Sequence, residues 1–227
     1  MKIEALDHVA LWTHDRDTLA RFLCEHLGMH EIDRTDAFTL VGADARRGKL
    51  TLFAAEGERR PGPLRRIAFA VPDLSRALAR LPRGQAVERV GSQEAHFRGP
   101  GGLGLGLAER ADVAEYDIDH VAFAVSDLAA AQIELLELGF ELKGGRLAAG
   151  SAFVDLLEGR IEDWKRPLFN HLGLRVRSAE EHIAEARKRG LEIADVVDAP
   201  NTSALFVYGP ERIKLEYVEH KASFALT

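Results

Sequence analysis

Leu6-Asp7-His8-Val9-Ala10 and, far down the chain, Ile118-Asp119-His120-Val121-Ala122 are nearly one phrase written twice. A histidine set in an apolar, strand-like run is either a hydrogen-bonded core residue or a ligand, and its repetition makes it the place from which to read outward. A helix opener follows each copy: Thr13-His14-Asp15 before RDTLARFLCEHLGM, and Ser126-Asp127 before LAAAQIELLELGF. Leu19, Phe22, Leu23 and Leu27 recur at helical spacing and Gly28 stands in the stop position. Ile133, Leu135, Leu136 and Leu138 repeat the pattern before Gly139. Strand-like runs come next, HEIDRT, AFTLVGA and KLTLFAAEG in the first copy, FELKGG and SAFVDLLEG in the second.

The same grammar recurs twice more. Leu64 to Leu81 (LRRIAFAVPDLSRALARL) reads as strand, Pro-Asp cap and helix, and Phe169 to Leu191 as strand, Ser cap and helix with Gly190 as the stop. Each leads to a final strand, in GPGGLGLGLAE (Gly99 to Glu109) and GPERIKLEYVE (Gly209 to Glu219). The chain is therefore α+β, with four βαβββ modules. Ala108 to Asp117, polar and aperiodic, reads as a linker. Two domains are expected, residues 1–109 and 118–220, separated by a linker over 110–117 and followed by a tail over 221–227, with modules paired inside each half because one module cannot cover its own sheet.

Composition narrows the function. At 46% hydrophobic and 29% charged residues the chain can bury a real core. A net charge of −6 with scattered basic residues argues against nucleic acid or an anionic membrane as partner. Cys24 is the sole cysteine, so no internal disulfide and no zinc knuckle can form. No stretch approaches the roughly 20 continuous apolar residues of a membrane span. The N-terminus shows no signal-peptide core, so a cytoplasmic location is expected. GGLGLGL (Gly101 to Leu107) lacks the Lys-Ser/Thr and helix start of a phosphate loop.

The repeated DHVA phrases and the modular order resemble the vicinal oxygen chelate superfamily, which includes glyoxalase I, epimerases, extradiol dioxygenases and resistance-type binding proteins. The resemblance implies paired βαβββ modules whose curved sheets enclose a cleft, with a divalent metal held by residues of first and last strands. On that pattern the C-terminal half supplies the metal ligands: His120, His171 and Glu216, with Asp155 as a fourth. In the N-terminal half Arg66 stands in place of the second histidine, Gly106 in place of the last-strand glutamate, and Thr51 or Phe53 in place of the fourth ligand. That half is expected to be metal-free and His8 a relic. Two histidines and a carboxylate suit Fe(II) best, with Mn, Zn, Ni or Co as alternatives.

Three readings of the activity follow. Tandem domains with one metal site imply an extradiol-type ring-cleaving dioxygenase acting on a small substrate through two adjacent oxygens. That group's Tyr and His are missing here, with Phe206 and the segment DAPNTS (Asp198 to Ser203) in their places, so Tyr208 is the catalytic candidate. The second reading is a glyoxalase- or epimerase-type lyase or isomerase, in which Glu216 or Asp155 doubles as general base. The third is a non-catalytic small-molecule binder, with Arg66 facing an anion. Related proteins of the superfamily often pair, so the resemblance makes a homodimer one possible assembly and leaves the oligomeric state open.

Overall fold

The computed structural model describes residues 1–111, 113–159 and 165–224. Asp112 of the expected linker and the last three residues of the expected tail lie outside them. Four modules run in order. The first is β1 (Ala5–Thr13), α1 (Arg16–His26), β2 (His30–Arg34), β3 (Phe38–Gly42) and β4 (Lys49–Ala54). The second is β5 (Leu64–Val71), α2 (Leu74–Leu78), β6 (Val87–Val90), β7 (Glu94–Arg98) and β8 (Gly104–Glu109). The third is β9 (Ile118–Val125), α3 (Leu128–Glu137), β10 (Glu141–Lys143), β11 (Arg146–Ala149) and β12 (Ala152–Glu158). The fourth is β13 (Phe169–Arg175), α4 (Ala179–Arg189), β14 (Ile193–Asp198), β15 (Thr202–Tyr208) and β16 (Lys214–His220).

Each helix starts where a short polar side chain takes an orphan backbone N–H. Asp15 accepts from Thr18 N, Asp73 from Arg76 N, Asp127 from Ala130 N and Ser178 from Glu181 N. Caps of this kind contribute about 1 kcal/mol each. Gly190, at φ 68°, ends α4 in the left-handed conformation that a side chain resists.

The sheets correct the expected pairing. One sheet runs β14-β15-β16-β13-β1-β4-β3-β2 and the other β10-β11-β12-β9-β5-β8-β7-β6. The first module thus pairs with the fourth and the second with the third, so neither 1–109 nor 118–220 forms a sheet by itself. Both sheets follow one plan. First strands meet antiparallel at the centre, β1 on β13 and β5 on β9, and each last strand lies parallel to its own first strand. The connections between modules explain why spacing misled: residues 55–63 join β4 to β5 across the sheets and residues 110–117 join β8 to β9 within one. Loops of nearly equal length serve both routes.

Packing then joins the sheets into one apolar cluster containing Val9, Leu50 and Leu172 of the first and Ile67, Leu105 and Val121 of the second. Phe123 of β9 meets Phe169 of β13 edge to face at 5.0 Å. Buried Tyr217 of β16 donates a 2.7 Å hydrogen bond to the Leu138 carbonyl at the end of α3. No helix among the described residues is long and apolar enough to cross a membrane.

The Tyr217 bond carries a prediction. Tyr217→Phe keeps the ring but leaves a buried carbonyl without its donor, and should lower unfolding free energy by about 1–3 kcal/mol. Urea denaturation should show a lower midpoint at an unchanged slope.

Candidate metal centre

Three side chains converge on one face of the first sheet: His8, His171 and Glu216. The strand register explains how. His8 of β1, Gly173 of β13 and Glu216 of β16 lie in one row across three adjacent strands. Because Gly173 has no side chain, the residues on either side can reach each other over it. A Cβ there would run into the His8 ring. His171, two residues before Gly173, shares its face and completes the triangle.

The edges of that triangle are short. The two Nε2 atoms are 3.0 Å apart, and Glu216 Oε2 lies 3.1 Å from His8 Nε2 and 3.0 Å from His171 Nε2. Metal–ligand bonds of about 2.1 Å at right angles place neighbouring donors about 3.0 Å apart. The triangle therefore has the size of one face of an octahedron, and its donor set suits Fe(II) and related divalent ions. Glu216 Oε2 is buried without a conventional hydrogen-bond donor among the described residues.

The rings are aimed from behind. Asp7 lies 2.9 Å from His8 Nδ1, and the Asn170 Oδ1 lies 3.2 Å from His171 Nδ1. Each acceptor draws the proton to Nδ1 and turns Nε2 to the cleft, as outer partners of metal-bound histidines do. Adjacent strand residues ordinarily point to opposite faces, but both strands break register here. The pairing skips Asp7 between Leu6 and His8, and skips Asn170 between Phe169 and His171. These bulges let consecutive residues cooperate at one site.

Electrostatics fits the same geometry. Burial works against charge on His8, but the Asp7 and Glu216 carboxylates outweigh it and lift the imidazole to about 9. Burial keeps His171 below the usual histidine value despite Glu216. Burial opposes ionisation of Glu216 as well, yet the two imidazoles hold it well below the carboxylate range. Two rings 3.0 Å apart do not both charge, and the one backed by a carboxylate takes the proton. Asp7 is further anchored by Lys49 at 2.8 Å, and both side chains are almost fully buried.

The sequence-derived set is thus divided. His171 and Glu216 meet as expected, but their partner is His8, not His120, which belongs to the second sheet. Asp155 also lies in the second sheet, where Arg146 grips it bidentately at 2.9 and 2.8 Å. The counterpart of Asp155 beside the triad is Thr51: Thr51 pairs with Ala10 as Asp155 pairs with Ala122. The reading of His8 as a relic is corrected by the cross-pairing, which hands the histidines of the first and fourth modules to one cleft. Tyr208 of β15, the expected catalytic tyrosine, sits with its ring 4.0 Å from the Arg212 guanidinium. Asp7, Asn170, Lys49 and Gly173 were missed, although an Asp or Asn directly before each ligand histidine was there to be read.

Aromatic rings wall the cleft. Phe206 and Phe53 stand 5.2 and 6.4 Å from the His171 ring, and Trp12 and Phe38 pack on Phe53 at 5.2 and 6.0 Å. Lys214, half-buried, adds positive charge over Phe206 at 5.6 Å.

With fold and site in view, the chain belongs to the Glyoxalase/Bleomycin resistance protein/Dioxygenase superfamily, whose family model matches residues 5–217. Solved structures share the fold at low identity. A Bacillus subtilis protein provisionally described as a dioxygenase is 17% identical, with a TM-score of 0.78 over 96% of this chain and 86% of that one. Glyoxalase I from Zea mays is 18% identical, with a TM-score of 0.76 over 95% and 92% of the two chains. The cppA protein of Streptococcus pneumoniae is 14% identical, with a TM-score of 0.68 over 96% and 100%. No curated protein matches the chain.

Two substitutions test the construction of the site. Gly173→Ala should push the His8 ring out of the triangle and abolish metal uptake, with circular dichroism unchanged. Asp7→Asn should weaken metal affinity by about 10–100-fold, the usual effect of losing an outer partner, as measured by competition with a chromogenic chelator.

Proposed function

We propose that the chain is a divalent-metal enzyme of its superfamily that takes a small aromatic substrate through two adjacent oxygens, with extradiol-type ring cleavage as the reaction and Fe(II) as the metal. One observation carries this reading: the position that would hold a fourth ligand beside the triad is Thr51, whose neutral hydroxyl is a poor ligand. His8, His171 and Glu216 would hold the ion with three protein donors and no fourth, which would leave it open to both a two-oxygen substrate and oxygen chemistry. A fourth protein donor would favour proton transfer instead.

The metal, when bound, supplies Lewis acidity to the two substrate oxygens. The protein's own residues supply the rest. His8, His171 and Glu216 hold the ion, while Asp7 and Asn170 keep the two rings turned toward it. Phe53 and Phe206 both stand against the His171 ring, where they would pack on a flat substrate and help exclude water. Lys214 shares the face of Glu216 and offers a cation to an ionised substrate oxygen. A glyoxalase- or epimerase-type reaction is the second reading, favoured by the fold shared with glyoxalase I of Zea mays, and it would use Glu216 as base.

Elemental analysis of anaerobically purified protein should find about one metal per chain, lost in His8→Ala and His171→Ala and kept in His120→Ala. Loss in His120→Ala with retention in His8→Ala would overturn the assignment. With iron bound, a panel of catechols should drive O2 uptake at an oxygen electrode. Thr51→Glu should retain metal and lose that uptake, because the added carboxylate would supply the fourth protein donor that the proposed oxygen chemistry lacks. Zinc, nickel or cobalt in the wild type, with turnover of thiol–aldehyde adducts and no O2 uptake, would decide for the second reading.

A further inference from the structure

The second sheet repeats the architecture of the first with different chemistry. His120, Ala68 and Gly106 occupy the row that His8, Gly173 and Glu216 occupy in the metal centre. Arg66, opposite Ala122, takes the place of His171, which lies opposite Ala10. Gly106 is more than an absent glutamate. A Cβ on it would approach Arg66 Cδ to 3.0 Å and the His96 ring to 3.4 Å, so the glycine makes room for the arginine stem. Glu94 is already committed, to His96 at 2.6 Å and more loosely to His120 at 3.4 Å and Arg66 at 3.8 Å. Asp155 is taken by Arg146.

Beside this row lies a cavity of about 400 Å³ lined by Arg65, Arg66 and Arg98, with Glu88 as the carboxylate on its wall. That volume is within the range of small-molecule sites. Three guanidinium groups around one space, against one carboxylate in the lining, give it a positive surplus. The Nε of Arg66 is buried without a hydrogen-bond partner among the described residues. Arg98 donates one N–H to the Gly102 carbonyl at 3.2 Å, and a guanidinium carries five such donors. Burial of Arg65 and Arg66, together with the like charge of Arg98 beside Arg65, disfavours the cationic forms of those two residues, and an anion would relieve both effects.

We propose that the second cleft is a binding site for a small molecule bearing an oxyanion, a carboxylate or a phosphate, with Arg66 and Arg98 as its principal donors and Arg65 adding charge. The pairing is of the planar, charge-assisted kind that arginine forms with either group. The site does not depend on the metal reading of the first cleft, since it uses different residues on the other sheet. One chain would then carry two clefts of common ancestry, one built for a cation and the other for an anion.

Thermal melts and titration calorimetry on the full chain test this, with inorganic phosphate and malonate as probes and sodium chloride at matched ionic strength as the reference. A saturable rise in Tm above the chloride reference with at least one probe is expected. Arg66→Met and Arg98→Met should each weaken binding by roughly tenfold or more, the equivalent of one lost charge-assisted hydrogen bond. Arg98 is exposed and its replacement leaves the core untouched, so that variant remains informative if Arg66→Met folds poorly. Binding should persist in His171→Ala. The proposal is overturned if neither probe exceeds chloride, if Arg98→Met binds as the wild type does, or if His171→Ala alone abolishes binding. Preference between the probes identifies the anionic group.

Discussion

The antiparallel seam between β1 and β13 is the constraint on which the rest of the molecule turns. It brings together two strands from opposite ends of the chain and sets their histidines on one face, 3.0 Å apart at the ring nitrogens. Its bulges at Asp7 and Asn170 supply each ring with a partner from the adjacent residue, at the point where a regular strand would have sent that partner to the opposite face. Its glycine row lets a carboxylate from the next strand close the triangle. Metal-site geometry, ring tautomer and sheet register therefore form one arrangement. A one-residue slip of β1 against β13 would remove all three together.

The second seam, β5 on β9, shows how little must change to alter the chemistry. The backbone plan and the bulge at Asp119 persist, and Asp119 still backs His120, at 2.7 Å. Exchanging the equivalent of one histidine for Arg66 and of one glutamate for Gly106 removes two side chains of the triad and introduces a fixed cation. The carboxylates nearby are neutralised by arginine and histidine instead of by an ion, so the second cleft carries its compensating charge as side chains. Each of those two carboxylates has a partner of opposite sign, which makes its partial burial tolerable.

Much of this was legible in the sequence, and what was not has a definite cause. The four modules could be read because caps and hydrophobic periodicity are local: Asp15, Asp73, Asp127 and Ser178 announce their helices within three residues. His171 and Glu216 could be read because they belong to one module. Which modules share a sheet was hidden, because that choice rests on contacts between residues some 160 positions apart, such as His8 and His171. Loops of similar length permit both routes. Misreading the pairing put His120 in the place of His8 beside His171 and Glu216, and added Asp155 from the other sheet.

The same symmetry makes the number of ligands informative. In a repeat, a residue's counterpart shows what its position can hold, and Asp155 shows that a carboxylate fits at this point of the fourth strand of a module. At the metal centre the corresponding residue is Thr51, and the strand neighbours on its face are Lys49, bound to Asp7, and Phe53, set against the His171 ring. The face that would have supplied a fourth ligand instead supplies an outer charge and an aromatic wall. The proposed flat substrate rests on that exchange, since an aromatic ring on this strand offers a stacking surface beside the triad where a fourth donor would have stood.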